Sequence, residues 1–165
     1  MNNITFEEIK DEHVNEVLEI YNYYVLHSNA TFQIKPLSAQ EMKAQVFSEN
    51  ARFKTYVIFF DKTLCGYVSL SQFKKREAYD ATAEIAIYLR NDYTCKGIGA
   101  LAISFIEKVA KINGFHALLA VITGSNTKSI QLFAKNGYEK CAHYKEVGKK
   151  FDELLDVVSY QKILK

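Results

Sequence analysis

Hydrophobic positions change their period several times along the chain, and each change predicts a new element. Ile4 to Ile9 alternates in the manner of an edge strand, after which Val14, Val17, Leu18, Tyr21 and Val25 recur at helical spacing. Ser38 with Glu41 three positions on has the form of a capping box, and Met42, Val46 and Phe47 supply a short apolar face for a second helix. "KTYVIFF" is a β-branched and aromatic run that ends at Asp61-Lys62, and "LCGYVSLSQF" follows as its antiparallel hairpin partner.

"TAEIAIYL" predicts another strand, running into a turn that contains Gly97 and Gly99. The helix after it carries Ile98, Leu101, Ala102, Phe105, Val109 and Ile112 as its apolar stripe, with Gly114 as its stop. "ALLAVI" reads as a buried strand, Asn126 or Ser125 caps a short helix through Lys135, and two strands over Tyr138 to Val147 and Phe151 to Lys162 close the chain. The order β-α-α-β-β-β-α-β-α-β-β lacks regular βαβ alternation. It predicts a mixed sheet of α/β (α+β) class and disfavours a doubly wound fold. With no repeat or linker, the 165 residues are expected to form one domain, 1–165.

Composition narrows the function classes. Apolar residues at 48% and charged residues at 24% are globular usage. No apolar run approaches the ~20 residues that span a bilayer, and Met1-Asn2-Asn3-Ile4 lacks the regions of a signal peptide, so a cytoplasmic chain with no membrane partner is expected. Twenty-one basic against nineteen acidic residues leave +2, which gives no reason to expect nucleic acid. Cys65, Cys95 and Cys141 are odd in number and widely spaced, indicating free thiols and neither a disulfide framework nor a metal site.

The glycine turn, "TCKGIGALAI", is the strongest chemical signal. Glycines free backbone N–H groups to face an anion, and a helix N-terminus adds a favourable dipole, so the turn suits phosphate. Gly97 to Ala102 formally matches G-x-G-x-x-A, but the region where a dinucleotide site needs a ribose-binding acid reads "LLAVITG", and no Walker-type phosphate loop occurs.

With "NTKSIQLFAKNGY" following it, this strand–loop–helix segment resembles the Gcn5-related N-acetyltransferases (GNAT), whose loop holds the pyrophosphate of acetyl-CoA on backbone amides. The element order fits that acyl-CoA N-acyltransferase fold over nearly the whole chain. "IYNYYVLHSNATF", "FKKREAYDATAEIAIYL" and "VGKKFDELLDVV" are closest to the phosphinothricin acetyltransferase group. The resemblance implies an acetyl-CoA-dependent N-acetyltransferase, a homodimer, acting on the amine of a small, carboxylate-bearing acceptor. A protein or peptide amine as acceptor, and a catalytically silent acyl-CoA sensor, stand as alternatives.

Residue by residue, the resemblance makes Glu84 the general base, against the reading of an ordinary strand carboxylate. Backbone groups of Ile87, Tyr88 and Leu89 would bind the pantetheine arm and the acetyl carbonyl. Amides from Cys95 through Lys96, Gly97, Ile98 and Gly99 to Ala100 would hold the diphosphate, Lys96 adding a charge and the two glycines admitting the diphosphate to the backbone. Thr94 replaces the usual Gln or Arg at the head of this loop. Asn126 and Ser129 match contacts to the cofactor arm and also suit a helix cap. Lys74 and Arg76 would face a substrate carboxylate, with Tyr79 and Phe32 as pocket walls, against a solvated basic loop and a core phenylalanine. Phe133 stands where relatives carry a Tyr or His proton donor, and Leu154 where the group carries a Trp.

Overall fold

The computed structural model describes residues 3–165; Met1 and Asn2, part of the stretch weighed against a signal peptide, lie outside the described residues. The elements are β1 (Ile4–Glu8), α1 (Val14–His27), α2 (Ala39–Val46), β2 (Thr55–Phe60), β3 (Thr63–Gln72), β4 (Thr82–Leu89), α3 (Ile98–Ile112), β5 (Ala117–Thr123), α4 (Thr127–Lys135), β6 (Glu139–Lys150) and β7 (Glu153–Ile163). All seven strands share one sheet in the order β1-β2-β3-β4-β5-β7-β6. Every neighbouring pair is antiparallel except β4–β5. This is the mixed sheet expected from the element order, with β1 on an edge.

Local chemistry sets the boundaries. The Ser38 hydroxyl accepts from the Glu41 amide at 3.2 Å while the Glu41 carboxylate accepts from the Ser38 amide at 2.7 Å, the reciprocal cap expected for α2. Asp61 and Lys62, with φ of 45° and 73°, make the two-residue turn whose twist suits a hairpin, joining β2 to β3. Phe151 and Asp152, with φ of 51° and 60°, do the same for the last hairpin. For this reason β6 runs to Lys150 instead of stopping at Val147, and β7 begins at Glu153.

The apolar stripe of α3 differs from expectation. Its buried residues are Ile98, Gly99, Ala102, Ile103, Ile106 and Ala110, whereas Leu101 and Ile112 are exposed, Ile112 at 84%. The helix is apolar on more than one side, so spacing alone picked a face rotated from the true one. Gly114, left-handed at φ 81°, follows its end as expected.

The sheet separates two apolar clusters. One joins Ala83 and Ile85 of β4 to α3, β5 and Phe133 of α4, with Ile87 and Leu89 packed against it. The other joins α1 and α2 to Val57 and Tyr67, with Tyr88 packed against it. Because strand side chains alternate, Glu84 shares the α1 face of β4 with Tyr88. Among the described residues no helix is long and apolar enough to cross a membrane.

Candidate active site

The β4–β5 pair is short. β4 runs to Leu89 and β5 to Thr123, yet they pair only over Thr82–Glu84 and Ala117–Leu119. β3 holds β4 along its length from Ala83 to Leu89, and β7 holds all of β5, so the two ladders carry the strands apart beyond Glu84. The gap opens into a cleft of about 510 Å³, lined by β4 from Glu84 to Leu89, by Ala120 to Ile122, by the glycine turn and by one side of α4.

Splaying leaves one backbone edge of β4 without a strand partner, and alternation decides which groups lie on it. The Arg90 amide donates to the Cys65 carbonyl at 2.7 Å, on the β3 side. Two residues back, Tyr88 therefore also turns its backbone to β3, while Ile87 and Leu89 turn theirs to the cleft. The Leu89 carbonyl is taken by the Tyr24 hydroxyl. Tyr24 itself lines the cleft, and burial raises its pKa above the usual phenolic value. Of the expected trio, Ile87 and Leu89 are thus placed to offer amides, and Tyr88 contributes its ring to the α1 side.

At the cleft mouth, the amides of residues 95 to 100 find no protein acceptor among the described residues; the first that does is Leu101, bonding to the Gly97 carbonyl. Cys95 and Gly97 are both left-handed, φ 59° and 80°, so successive N–H groups converge on one concavity at the start of α3. The two glycines serve different ends. A Cβ on Gly97 would meet nothing within 4 Å, so conformation alone requires glycine there. A Cβ on Gly99 would lie 2.8 Å from the Leu132 side chain, so Gly99 also lets α3 approach α4. Thr94, Cys95, Gly97, Gly99 and Ala100 line the cleft. The Ile98 side chain is in the core, and the Lys96 ammonium lies over the Tyr93 ring at 5.2 Å.

Across the cleft, the Asn126 side chain accepts from the Ser129 amide at 3.3 Å and so caps α4; both residues also line the cleft, as do Lys128, Gln131 and Lys135. Phe133 reaches the cleft wall, buried and packed edge-to-face on Tyr138. Glu84 stands at the inner end. Burial alone raises its pKa, and among the described residues its carboxylate has no hydrogen-bond or ion-pair partner. No cluster of potential metal ligands occurs among the described residues.

The expected acceptor residues do not gather in this cleft. Lys74, Arg76 and Tyr79 lie on the exposed β3–β4 connection, where the Lys74 ammonium sits over the Phe73 and Tyr79 rings at 5.3 and 5.2 Å. Phe32 follows α1 and presses its ring against Gly148 of β6, where a Cβ would come within 2.2 Å of it. Leu154 is exposed on β7. Tyr24, Lys128 and Lys135 escaped the sequence reading, Tyr24 because it sits inside a core-like helical pattern and the lysines because a solvated helix face looks the same.

A strand gap with amides along one wall, ending in six amides at a helix N-terminus that have no partner among the described residues, suits a long thioester with a diphosphate at its far end. An acetyltransferase (GNAT) domain family matches residues 7–158. The chain belongs to this GNAT family. It is 28% identical over 164 residues to a phosphinothricin N-acetyltransferase of Alcaligenes faecalis, covering 97% of this chain and 82% of that one. It is 27% identical over 146 residues to an L-amino acid N-acyltransferase of Escherichia coli K12, covering 88% and 85%. A GNAT phosphinothricin acetyltransferase from Sinorhizobium meliloti, solved in complex with AcCoA, superposes with a TM-score of 0.92 at 29% identity, over 98% of this chain and 88% of that one. This GNAT protein is accordingly an acetyl-CoA-dependent N-acetyltransferase, a transferase of the acyltransferase class.

Proposed function

We propose that this GNAT enzyme, a single catalytic domain over 1–165, acetylates the amine of a small carboxylate-bearing acceptor, an amino acid or an analogue resembling phosphinothricin. The observation that carries the proposal is one cleft with an array of amides free to hold a diphosphate at its mouth and, at its inner end, a half-buried carboxylate without a partner among the described residues. The names of the relatives, one acting on phosphinothricin and one on L-amino acids, support the acceptor class.

In this reading the amides of 95 to 100 hold the diphosphate, while Asn126 and Ser129 steady the arm. The Ile87 and Leu89 amides hold the arm and polarise the thioester carbonyl. Glu84, its pKa raised by burial, takes a proton from the acceptor ammonium directly or through water. The freed nitrogen attacks the thioester carbon, the N–C bond forms, the C–S bond breaks, the sulfur leaves with the electron pair, and the nitrogen gives up its second proton to water to become the neutral amide. With Phe133 in place of an acid, the thiolate takes its proton from water, which a thiol pKa of ~8.5 permits. Lys74, Arg76 and Tyr79 would approach the acceptor from the rim.

We also read the enzyme as a cytoplasmic homodimer, supported by the exposed Tyr144, Val147, Phe151 and Leu154 concentrated in the β6–β7 hairpin. A thiol-release screen with acetyl-CoA and amino acids, their analogues, polyamines and peptides tests the main reading. Amine-dependent release confined to peptides would replace the acceptor class. No release from any amine, with acetyl-CoA still bound, would favour a silent sensor, a reading to which Phe133 lends its one observation.

A further inference from the structure

Tyr24, in the last turn of α1, is the one side chain among the described residues that hydrogen-bonds to the cleft edge of β4. Its hydroxyl donates to the Leu89 carbonyl, its side chain is half-buried, and it lines the acetyl-CoA cleft. That bond is not what docks α1 on the sheet. The Tyr24 ring packs edge-on against Tyr88 with centroids 5.4 Å apart, and Tyr88 is held in turn by Tyr21 and Tyr67 at 5.3 and 5.5 Å. Arg90 ties the same end of β4 to α1 through Glu16 at 3.2 Å and Glu19 at 3.8 Å, while its Nε donates to the Leu64 carbonyl at 2.9 Å. The phenolic oxygen can therefore be removed with these contacts left in place.

Between thioester and diphosphate, the arm of acetyl-CoA carries two amide groups, each with one donor and one acceptor. Laid extended beside β4, it acts as a short extra strand and needs acceptors for its own N–H groups. Ile87 and Leu89 turn their backbone groups to the cleft, but the Leu89 carbonyl already accepts from Tyr24. A hydroxyl has one proton and two lone pairs, so after donating to Leu89 the Tyr24 oxygen still accepts. The acceptor offered to the cleft at this point stands one hydrogen-bond length out from the strand, its orientation fixed by the bond behind it. A hydroxyl that donates in such a chain also becomes a better acceptor. Burial holds the Tyr24 phenol above its ordinary pKa, so it keeps the proton it gives to Leu89 across the neutral range.

The geometry points to Tyr24 as a cofactor-binding residue whose hydroxyl, while donating to the Leu89 carbonyl, accepts the N–H of the arm amide nearer the diphosphate. Leu89 selects that amide because it lies between Ile87 and the turn of residues 95 to 100. The inference rests on the course of the arm along β4 proposed above and deepens it. It adds a side chain from α1 to a site otherwise formed by β4, the glycine turn and α4, and so makes the fit of the arm depend on how α1 meets the end of β4.

Calorimetry on the full-length enzyme compares acetyl-CoA with adenosine 3′-phosphate 5′-diphosphate, which keeps the diphosphate and lacks the arm. Tyr24→Phe should weaken acetyl-CoA by roughly 5- to 15-fold and the nucleotide by less than about twofold. A merely structural role would weaken both alike. A second measurement needs no variant and covers the case in which Tyr24→Phe does not fold: an acetyl-CoA analogue with an ester oxygen in place of that amide N–H should lose a similar factor on the wild-type enzyme. Combined, the analogue and Tyr24→Phe should lose little more than either alone. Four results would each overturn the assignment: acetyl-CoA affinity of Tyr24→Phe within about twofold of wild type, equal weakening of acetyl-CoA and nucleotide, fully additive losses, or an analogue that wild type binds as it binds acetyl-CoA. The coupled loss without thiol release in the presence of any amine would leave the assignment standing and remove the catalytic reading instead.

Discussion

The two ends of the cleft are built from different materials. At the donor end, the groups proposed to hold the diphosphate are the amides of residues 95 to 100, and side chains among them point elsewhere: Ile98 into the core, Lys96 over Tyr93. At the acceptor end the group proposed to do the chemistry is a side chain, the half-buried Glu84 carboxylate, which has no hydrogen-bond or ion-pair partner among the described residues. A backbone site depends on conformation and tolerates changes of side chain, so Thr94 in place of a Gln or Arg leaves it intact. A side-chain site depends on identity and burial, and a single substitution there alters chemistry.

The largest effect should therefore fall on Glu84. Glu84→Gln keeps shape and removes the base, and kcat/KM should drop by roughly 10²- to 10⁴-fold while acetyl-CoA affinity measured by calorimetry stays the same. Residual activity should climb with pH as the acceptor ammonium loses its proton in solution. A second consequence concerns stability. Burial raises the folded pKa of Glu84 above its unfolded value near 4.3, so ionisation disfavours the folded state, and wild type loses stability as pH rises through that window. The glutamine variant lacks this loss. Its melting temperature relative to wild type should be higher at pH 7 than at pH 3; an unaltered rate and an unaltered difference would take Glu84 out of the mechanism.

Gly99→Val tests the donor end by conformation. The new side chain would push on Leu132, an overpacking expected to destabilise by about 1–3 kcal/mol, and would tilt the first turn of α3 that carries the amides. Acetyl-CoA affinity should fall by roughly tenfold or more in the folded fraction. Gly97→Ala meets no atoms and suffers only the left-handed strain of about 1 kcal/mol, so its affinity loss should be smaller. If both variants bind acetyl-CoA as wild type does, the diphosphate does not sit on this turn.

That contrast also explains what could be read from the sequence. Element order, the Ser38–Glu41 cap and the glycine turn were legible because each depends on local pattern or conformation. The α3 stripe was misplaced because Leu101 and Ile112 are as apolar as the residues that are buried, and only tertiary contact chooses among them. The extent of β6 was hidden because its turn uses Phe151-Asp152 with positive φ and no glycine. Lys150 reads as one of two adjacent lysines, and nothing local distinguishes the buried one from exposed Lys149.

Arg76 separates rim from interior. It is exposed and forms no ion pair among the described residues, so screening limits what its charge can add. Arg76→Ala should raise KM for a carboxylate-bearing acceptor by only about two- to fivefold, with kcat and acetyl-CoA affinity nearly unchanged. A loss of a hundredfold, selective for carboxylate, would make this exposed loop the main anion contact.

The smallest effect should come from Phe133→Tyr, which adds a hydroxyl where the sequence resemblance implies a proton donor. The ring is 4% exposed, lines the cleft and packs edge-to-face on Tyr138 at 5.1 Å. The hydroxyl of Tyr138, on which the ring packs, is buried and already without a hydrogen-bond partner among the described residues. A new hydroxyl that turns inward adds a second unsatisfied group and should destabilise by about 1–3 kcal/mol. One that turns toward the cleft can reach the departing thiolate, yet protonating a group with a pKa of ~8.5 relieves little of the barrier near neutral pH. The expected result is a kcat within about threefold of wild type and a lower melting temperature. A rise in kcat of tenfold or more, growing with pH until the phenol ionises, would show that discharge of the thiolate limits this enzyme and that Phe133 holds it back.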